Sequence, residues 1–123
     1  MLKTLWPAAL WSVIIFILLT IPGEEFPQGP EVPLLDKLIH VFLFGMQVFL
    51  WCRFYYRVST QKTSTNYVLF LLASCIYGFG MEYVQKYYVA NRGFEYGDIA
   101  ADIVGSFAGW LVFRYRIFKT ADS

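Results

Sequence analysis

Polar side chains recur at helical spacing in a sequence that is otherwise strongly apolar. Asp36 and His40 are four residues apart, as are Asp98 and Asp102, and residues at this spacing share one face of a helix. A histidine beside a carboxylate can act as a general acid or base, with the carboxylate fixing its tautomer. The candidate acid–base residues are His40, Glu82, Asp98 and Asp102.

A second set of polar residues suits ligand binding. Lys37 precedes His40 by three residues and Gln85 follows Glu82 by three, so each pair shares a helix face. Arginine binds phosphate or carboxylate through its planar fork, and lysine binds as a point charge. The candidate ligand-binding residues are Asp36, Lys37, Gln85 and Arg92. The set suits either binding or turnover, but no Ser or Cys accompanies His40 as a recognisable nucleophile.

Charge limits what this polar set can hold. Asp98 and Asp102, about 6 Å apart on one helix face, repel by roughly 3 kcal/mol at an effective dielectric constant of 20. Either a cation lies between them or one carboxyl group holds a proton. Zinc and manganese accept His, Asp and Glu as ligands, but Lys37 and Arg92 would oppose a dication. We therefore predict no metal and no cofactor.

Four apolar runs must position these residues. The hydrocarbon core of a bilayer, about 30 Å thick, needs roughly 17–25 mostly apolar residues per helix. Hydrophobic residues make up 58% of the chain and charged residues 15%, unlike the balance of a soluble domain. The predicted spans are Leu5–Ile21, Leu38–Tyr55, Tyr67–Tyr87 and Ile99–Phe118. The expected fold is all-α, a single integral membrane bundle of four transmembrane helices over residues 1–123.

The basic residues orient this bundle, because Lys and Arg are enriched in cytoplasmic segments. If the N-terminus is cytoplasmic, the ten basic residues divide into seven inside and three outside. The inner ones are Lys3, Arg53, Arg57, Lys62, Arg114, Arg116 and Lys119. Both termini are therefore predicted to be cytoplasmic, with the polar set near the extracytoplasmic face. The net charge of +1 gives no reason to expect nucleic acid as a partner.

Two other classes of protein fit less well. Lys3 followed by an apolar run resembles a secretory signal, but no small-x-small cleavage site follows, so the run is expected to remain as a membrane helix. A proton-coupled transporter would need acidic groups further across the membrane. The predicted cytoplasmic halves of spans two to four carry none. The lipid bilayer is the one partner that composition predicts directly.

The polar set also has a purely structural interpretation. A carboxylate at mid-bilayer costs about 2.5–3.5 kcal/mol on insertion scales, so Glu82 and Asp102 must face water or a partner. An ion-paired network joining three helices would satisfy them without any ligand. Gly105 and Gly109 form a G-x-x-x-G pattern, which can bring another helix close.

These motifs together resemble a known family. The pattern is Asp36-Lys37-x-x-His40, then Glu82-x-x-Gln85, Arg92 and Asp98-x-x-x-Asp102 with Gly105 and Gly109. It is similar to the VanZ-like family of small multi-pass bacterial membrane proteins, over spans two to four. The resemblance implies the bacterial inner membrane as the location. Asp102 departs from the family, which often has Asn there.

The resemblance also directs attention to the cell envelope. The family takes its name from a protein associated with resistance to the glycopeptide teicoplanin. Lipid-linked phosphates and the carboxylates of peptidoglycan stem peptides are anionic groups at the outer membrane face. We therefore expect binding or modification of an anionic lipid or peptidoglycan precursor, with a structural or interaction role as the alternative.

Overall fold

A computed structural model describes residues 2–20, 33–60, 64–88 and 96–121, with side chains except at 33–36, 64 and 118–121. These ranges contain α-helices and no strand, so the all-α prediction is confirmed for them. The helices are α1 (Leu2–Thr20), α2 (Pro33–Val58), α3 (Ser64–Tyr88) and α4 (Tyr96–Ala121). α2 begins at Pro33, earlier than the predicted span, because proline is well tolerated in the first turn of a helix.

Three of the helices are long and apolar enough to cross a membrane. The candidate spans are Leu2–Thr20, Lys37–Val58 and Thr65–Tyr88. α4 is 26 residues long but is not among them. Asp98 and Asp102 lie near its start, and Arg114 and Arg116 near its end, so its apolar stretch is interrupted at both ends. The predicted fourth span is therefore a helix whose composition alone does not mark it as transmembrane.

Glycines bring α2 and α4 into the closest contact of the bundle. A Cβ atom on Gly105 would lie 2.2 Å from the carbonyl oxygen of Val41, and one on Gly109 would lie 2.1 Å from that of Gly45. Only glycine permits such backbone approach. The helix that the G-x-x-x-G pattern approaches is thus α2 of the same chain, and this face of α4 is occupied within the molecule.

Two apolar clusters fill the interior. Ile15, Leu19, Leu43, Phe44 and Met81 form one, drawn from α1, α2 and α3. Leu43 and Met81 lie within one helical turn of His40 and Glu82 in sequence, so this cluster adjoins the polar residues. The second cluster consists of Val48, Cys52 and Phe113, further along α2 and α4. The bundle therefore has a polar end, where α2 and α4 begin, and an apolar half beyond it.

Candidate functional site

The ends of the helices gather the polar residues at one end of the bundle. Lys37 and His40 lie in the first turns of α2, and Asp98 and Asp102 in the first turns of α4. Glu82 lies in the last turns of α3, which runs in the opposite direction. We call Lys37, His40, Glu82, Asp98 and Asp102 the polar site.

Most of the polar site is buried. The exposed fraction is 1% for His40, 0% for Glu82, 1% for Asp102 and 6% for Asp98. Charged residues are almost never fully buried unless they are paired, because desolvating an isolated charge costs several kcal/mol or more. The interactions within the site therefore decide whether this end of the bundle is stable.

His40 lies between the two aspartates of α4. Its Nδ1 is 2.8 Å from Oδ1 of Asp102, a hydrogen bond, and its Nε2 is 3.7 Å from Oδ2 of Asp98, beyond hydrogen-bond distance. The group expected between Asp98 and Asp102 is thus the imidazole ring. If Nδ1 donates its proton to Asp102, the tautomer is fixed and Nε2 is the basic nitrogen. This is the arrangement that acid–base chemistry requires.

Lys37 forms an ion pair with Oδ1 of Asp98 at the rim of the site. The Lys37 side chain is 31% exposed and that of Asp98 is 9% exposed, so the pair marks the transition from the surface to the interior. Gly97 leaves room for it, since a Cβ there would lie 3.0 Å from Cε of Lys37. A molecule approaching His40 from this side meets Lys37 and Asp98 first.

Glu82 completes a compact group with His40 and Asp102. One potential ligand atom from each of these three residues lies within 4.8 Å of the others. Gly78, one turn before Glu82 on α3, makes room for this group, because a Cβ there would lie 2.7 Å from Oδ2 of Asp102. The spacing of Gly78 and Glu82 on one helix face is the sequence signal that could have identified this glycine.

Gln85 forms a hydrogen bond to the backbone of α1. Its Nε2 donates a hydrogen bond of 2.9 Å to the carbonyl oxygen of Leu19. Leu19 lies in the last turn of α1, where carbonyl groups have no partner within the helix. Gln85 therefore joins α3 to the end of α1, and this nitrogen is directed to the backbone of α1.

Two predicted site residues are not fully described. Arg92 lies outside the described residues. Asp36 lies in the first turn of α2, and its side chain is outside the described part of the structure.

A hydrogen-bonded network inside the bundle was not predicted. Ser12 of α1 donates to Oε1 of Gln47 at 2.9 Å and accepts from Nε1 of Trp51 at 3.0 Å. Tyr77 donates to the backbone carbonyl of Ser12 at 2.9 Å. These residues line a cavity of about 280 Å³. No single hydroxyl or amide in an apolar helix signals such a network, because its partners lie on other helices.

Comparisons with protein-family models, with curated proteins and with solved structures found no match to this chain. The VanZ-like resemblance therefore depends on the motif residues alone. The chemistry open to the site follows from its geometry, which combines an oriented imidazole, three buried carboxyl groups and a lysine at the rim.

Proposed function

We propose that this chain is a VanZ-like multi-pass protein of the bacterial inner membrane, with both termini in the cytoplasm. In this proposal the polar site faces the extracytoplasmic side and binds or modifies an anionic ligand of the cell envelope. The motif positions, the three candidate spans and the distribution of basic residues support it. Exposed apolar side chains such as Leu72, Ile76 and Leu111 add support, because extended exposed apolar surfaces are rare on soluble monomers.

The observation that carries the proposal is the environment of His40. A single buried histidine is oriented by Asp102, and its second nitrogen is directed towards Asp98, which pairs with Lys37 at the surface. An anion that binds Lys37 would compete with Asp98 for the ammonium group, directly beside the imidazole. Lys37 would bind the ligand and His40 would accept or donate a proton, with Asp102 holding the ring in place.

The ligand class follows from charge and location. At the extracytoplasmic face the available anions include lipid-linked pyrophosphates and the carboxylates of peptidoglycan stem peptides. Either can exchange with the Asp98 carboxylate on Lys37. Glycopeptide resistance does not follow from a shared architecture, since a fold can host many functions.

The second candidate function is a structural or interaction role. The near-complete burial of His40, Glu82 and Asp102 favours it, because buried groups that satisfy one another can join α2, α3 and α4 without a ligand. In this case the polar site would be an ion-paired network.

Ligand binding to purified protein in detergent tests the proposal. We expect a polyprenyl pyrophosphate or a soluble stem peptide to bind, with Lys37→Gln weakening the binding about tenfold or more, equivalent to about 1.4 kcal/mol. Lys86→Gln is the matched control, since Lys86 lies in the last turn of α3 at the same end of the bundle but outside the polar site. Tighter binding of the polyprenyl pyrophosphate would indicate a lipid-linked phosphate as the ligand, and tighter binding of the stem peptide would indicate a peptidoglycan carboxylate. If neither probe binds, or if both variants lose the same affinity, the proposal is wrong.

A further inference from the structure

We propose that His40, Glu82 and Asp102 form a binding site for one divalent transition-metal ion of the zinc or manganese type. Each residue comes from a different helix, α2, α3 and α4 respectively. The inference does not depend on an envelope ligand, because it follows from the three side chains themselves. An ion bound by His40 and Asp102 would replace the proton that these two side chains share, so His40 would then be a metal ligand and not the acid–base group, while Lys37 would still be able to bind an anion.

The distances fit a metal site after a small adjustment. The three potential ligand atoms lie within 4.8 Å of one another. Metal–ligand bonds of about 2.0–2.2 Å place the atoms around one ion roughly 3–4 Å apart. Side-chain movements of about 1 Å would therefore bring all three onto a common ion. An imidazole nitrogen with two carboxylate oxygens is a ligand set that suits zinc and manganese.

The ligand types at this position suit a cation. Lys37, which the sequence led us to expect to oppose a dication, is paired with Asp98 at the rim. Glu82 and Asp102 are both buried, and a carboxylate oxygen of each lies within 4.8 Å of a ring nitrogen of His40. A dication placed where the two carboxylate oxygens and the imidazole nitrogen converge would be attracted by both carboxylates.

The backbone around the three residues provides the space. The Asp102 carboxylate occupies the space beside Gly78, where a Cβ atom would lie only 2.7 Å from its Oδ2. At Gly105 the contact with Val41 fixes α4 against α2, and therefore fixes Asp102 near His40. An ion would enter past Lys37 and Asp98, the more exposed residues of the polar site.

Metal titration of the full-length chain in detergent, after removal of metal with a chelator, tests the inference. A purification tag without histidine is required, and binding is followed by calorimetry and by elemental analysis. Manganese is used beside zinc because Cys52 and Cys75 are free thiols, which bind zinc more readily than manganese. We expect one manganese ion per chain.

Three variants test whether these side chains themselves bind the ion. His40→Ala and Asp102→Asn should each weaken manganese binding about 100-fold or more, since each removes a metal ligand. Asp102→Asn keeps the shape of the side chain and an oxygen that can accept the hydrogen bond from His40. This variant should therefore fold, and any loss of manganese binding can be assigned to the missing carboxylate. Gln85→Ala is the matched control, since Gln85 is equally buried at the same end but bonds to Leu19, and it should bind manganese as wild type does.

Lys37→Gln distinguishes this inference from the proposed function. The variant should lose anionic-ligand binding but retain manganese, because Lys37 is not one of the three residues. Absence of stoichiometric manganese binding by the wild type would overturn the metal site and leave the anion proposal intact. Wild-type affinity in a folded Asp102→Asn variant would overturn it as well.

Discussion

The polar end and the apolar half of this bundle use the same helices but different forces. At the polar end, His40, Asp98 and Asp102 are held by the hydrogen bond between His40 and Asp102 and by ion pairs that depend on exact partners. In the apolar half, Phe113 packs with Val48 and Cys52, and its ring meets that of Phe49 edge to face with centroids 5.8 Å apart. Packing of this kind tolerates exchanges of similar volume, whereas removing one member of a buried charged pair leaves the other charge uncompensated.

Both regions depend on the close contact of α2 and α4, so breaking it should have the largest effect. Gly105→Ala places a Cβ 2.2 Å from the Val41 carbonyl oxygen, and the helices must separate to admit it. We expect the free energy of unfolding to fall by about 3 kcal/mol or more. The measurement is thermal or denaturant unfolding in detergent.

Gly80→Ala is the control for this substitution. A Cβ at Gly80 meets no atom within 4 Å, so the variant should be unchanged or more stable by about 0.5–1 kcal/mol. Equal stability of the Gly105 and Gly80 variants would show that α2 and α4 are not in backbone contact.

A smaller effect should separate the two regions directly. His40→Leu keeps a side chain of similar size but removes a hydrogen-bond partner of the buried Asp102 carboxyl group. We expect a loss of about 3 kcal/mol, as is typical when one member of a buried pair is removed. Phe113→Leu in the apolar half should cost less, about 1–2 kcal/mol, because the smaller side chain loses part of its apolar contact but leaves no charged group without its partner. Similar losses in both variants would mean that packing alone holds the polar end.

Glu82→Gln sharpens the comparison within the polar end. The change removes one of three buried carboxyl groups without changing its shape, so stability should stay within about 1 kcal/mol of wild type or increase. Binding of manganese, and of any envelope ligand that requires this residue, should be lost. If the variant instead unfolds several kcal/mol more easily, Glu82 belongs to a structural network and the second candidate function is favoured. Ser74→Ala, at a buried hydroxyl bonded to Ser106, controls for loss of a buried polar group outside the polar site.

The sequence predicted the helices from the length of the apolar runs, and it predicted one polar end from the similar depth of the polar residues in spans that alternate in direction. Apolar runs of sufficient length give helices, and residues four apart share a face, as Asp98 and Asp102 do. The observed helix ends differ from the predicted ones because a helix continues beyond its apolar stretch into polar flanks. α4 was predicted as a span, but the charged residues near its start, Asp98 and Asp102, lower the hydropathy by which a membrane-spanning helix is recognised.

Features that depend on contacts between helices could not be predicted. Gln85 bonds to a backbone carbonyl of α1, and every residue has such a carbonyl, so sequence does not single it out. The same reason applies to Ser12, whose partners come from α2 and α3. The G-x-x-x-G pattern predicted a close helix, but only the packed bundle identifies that helix as α2.

The smallest effect on stability, and a direct test of which side the polar end faces, comes from cysteine labelling. Since Lys and Arg favour the cytoplasm, we expect the segment after α2 to be cytoplasmic and the polar end to lie on the other side. In a background with Cys52→Ala and Cys75→Ala, Thr60→Cys should react only after the membrane is made permeable to a charged maleimide. Gln28→Cys, at a position outside the described residues, should react in intact cells. Thr60 is exposed, so neither a buried contact nor a predicted site residue is altered there, and expression should match the background. The opposite labelling pattern would place the polar site on the cytoplasmic side. Lipid-linked and peptidoglycan precursors at the outer face would then no longer be candidate ligands, whereas the proposed metal site would be unaffected.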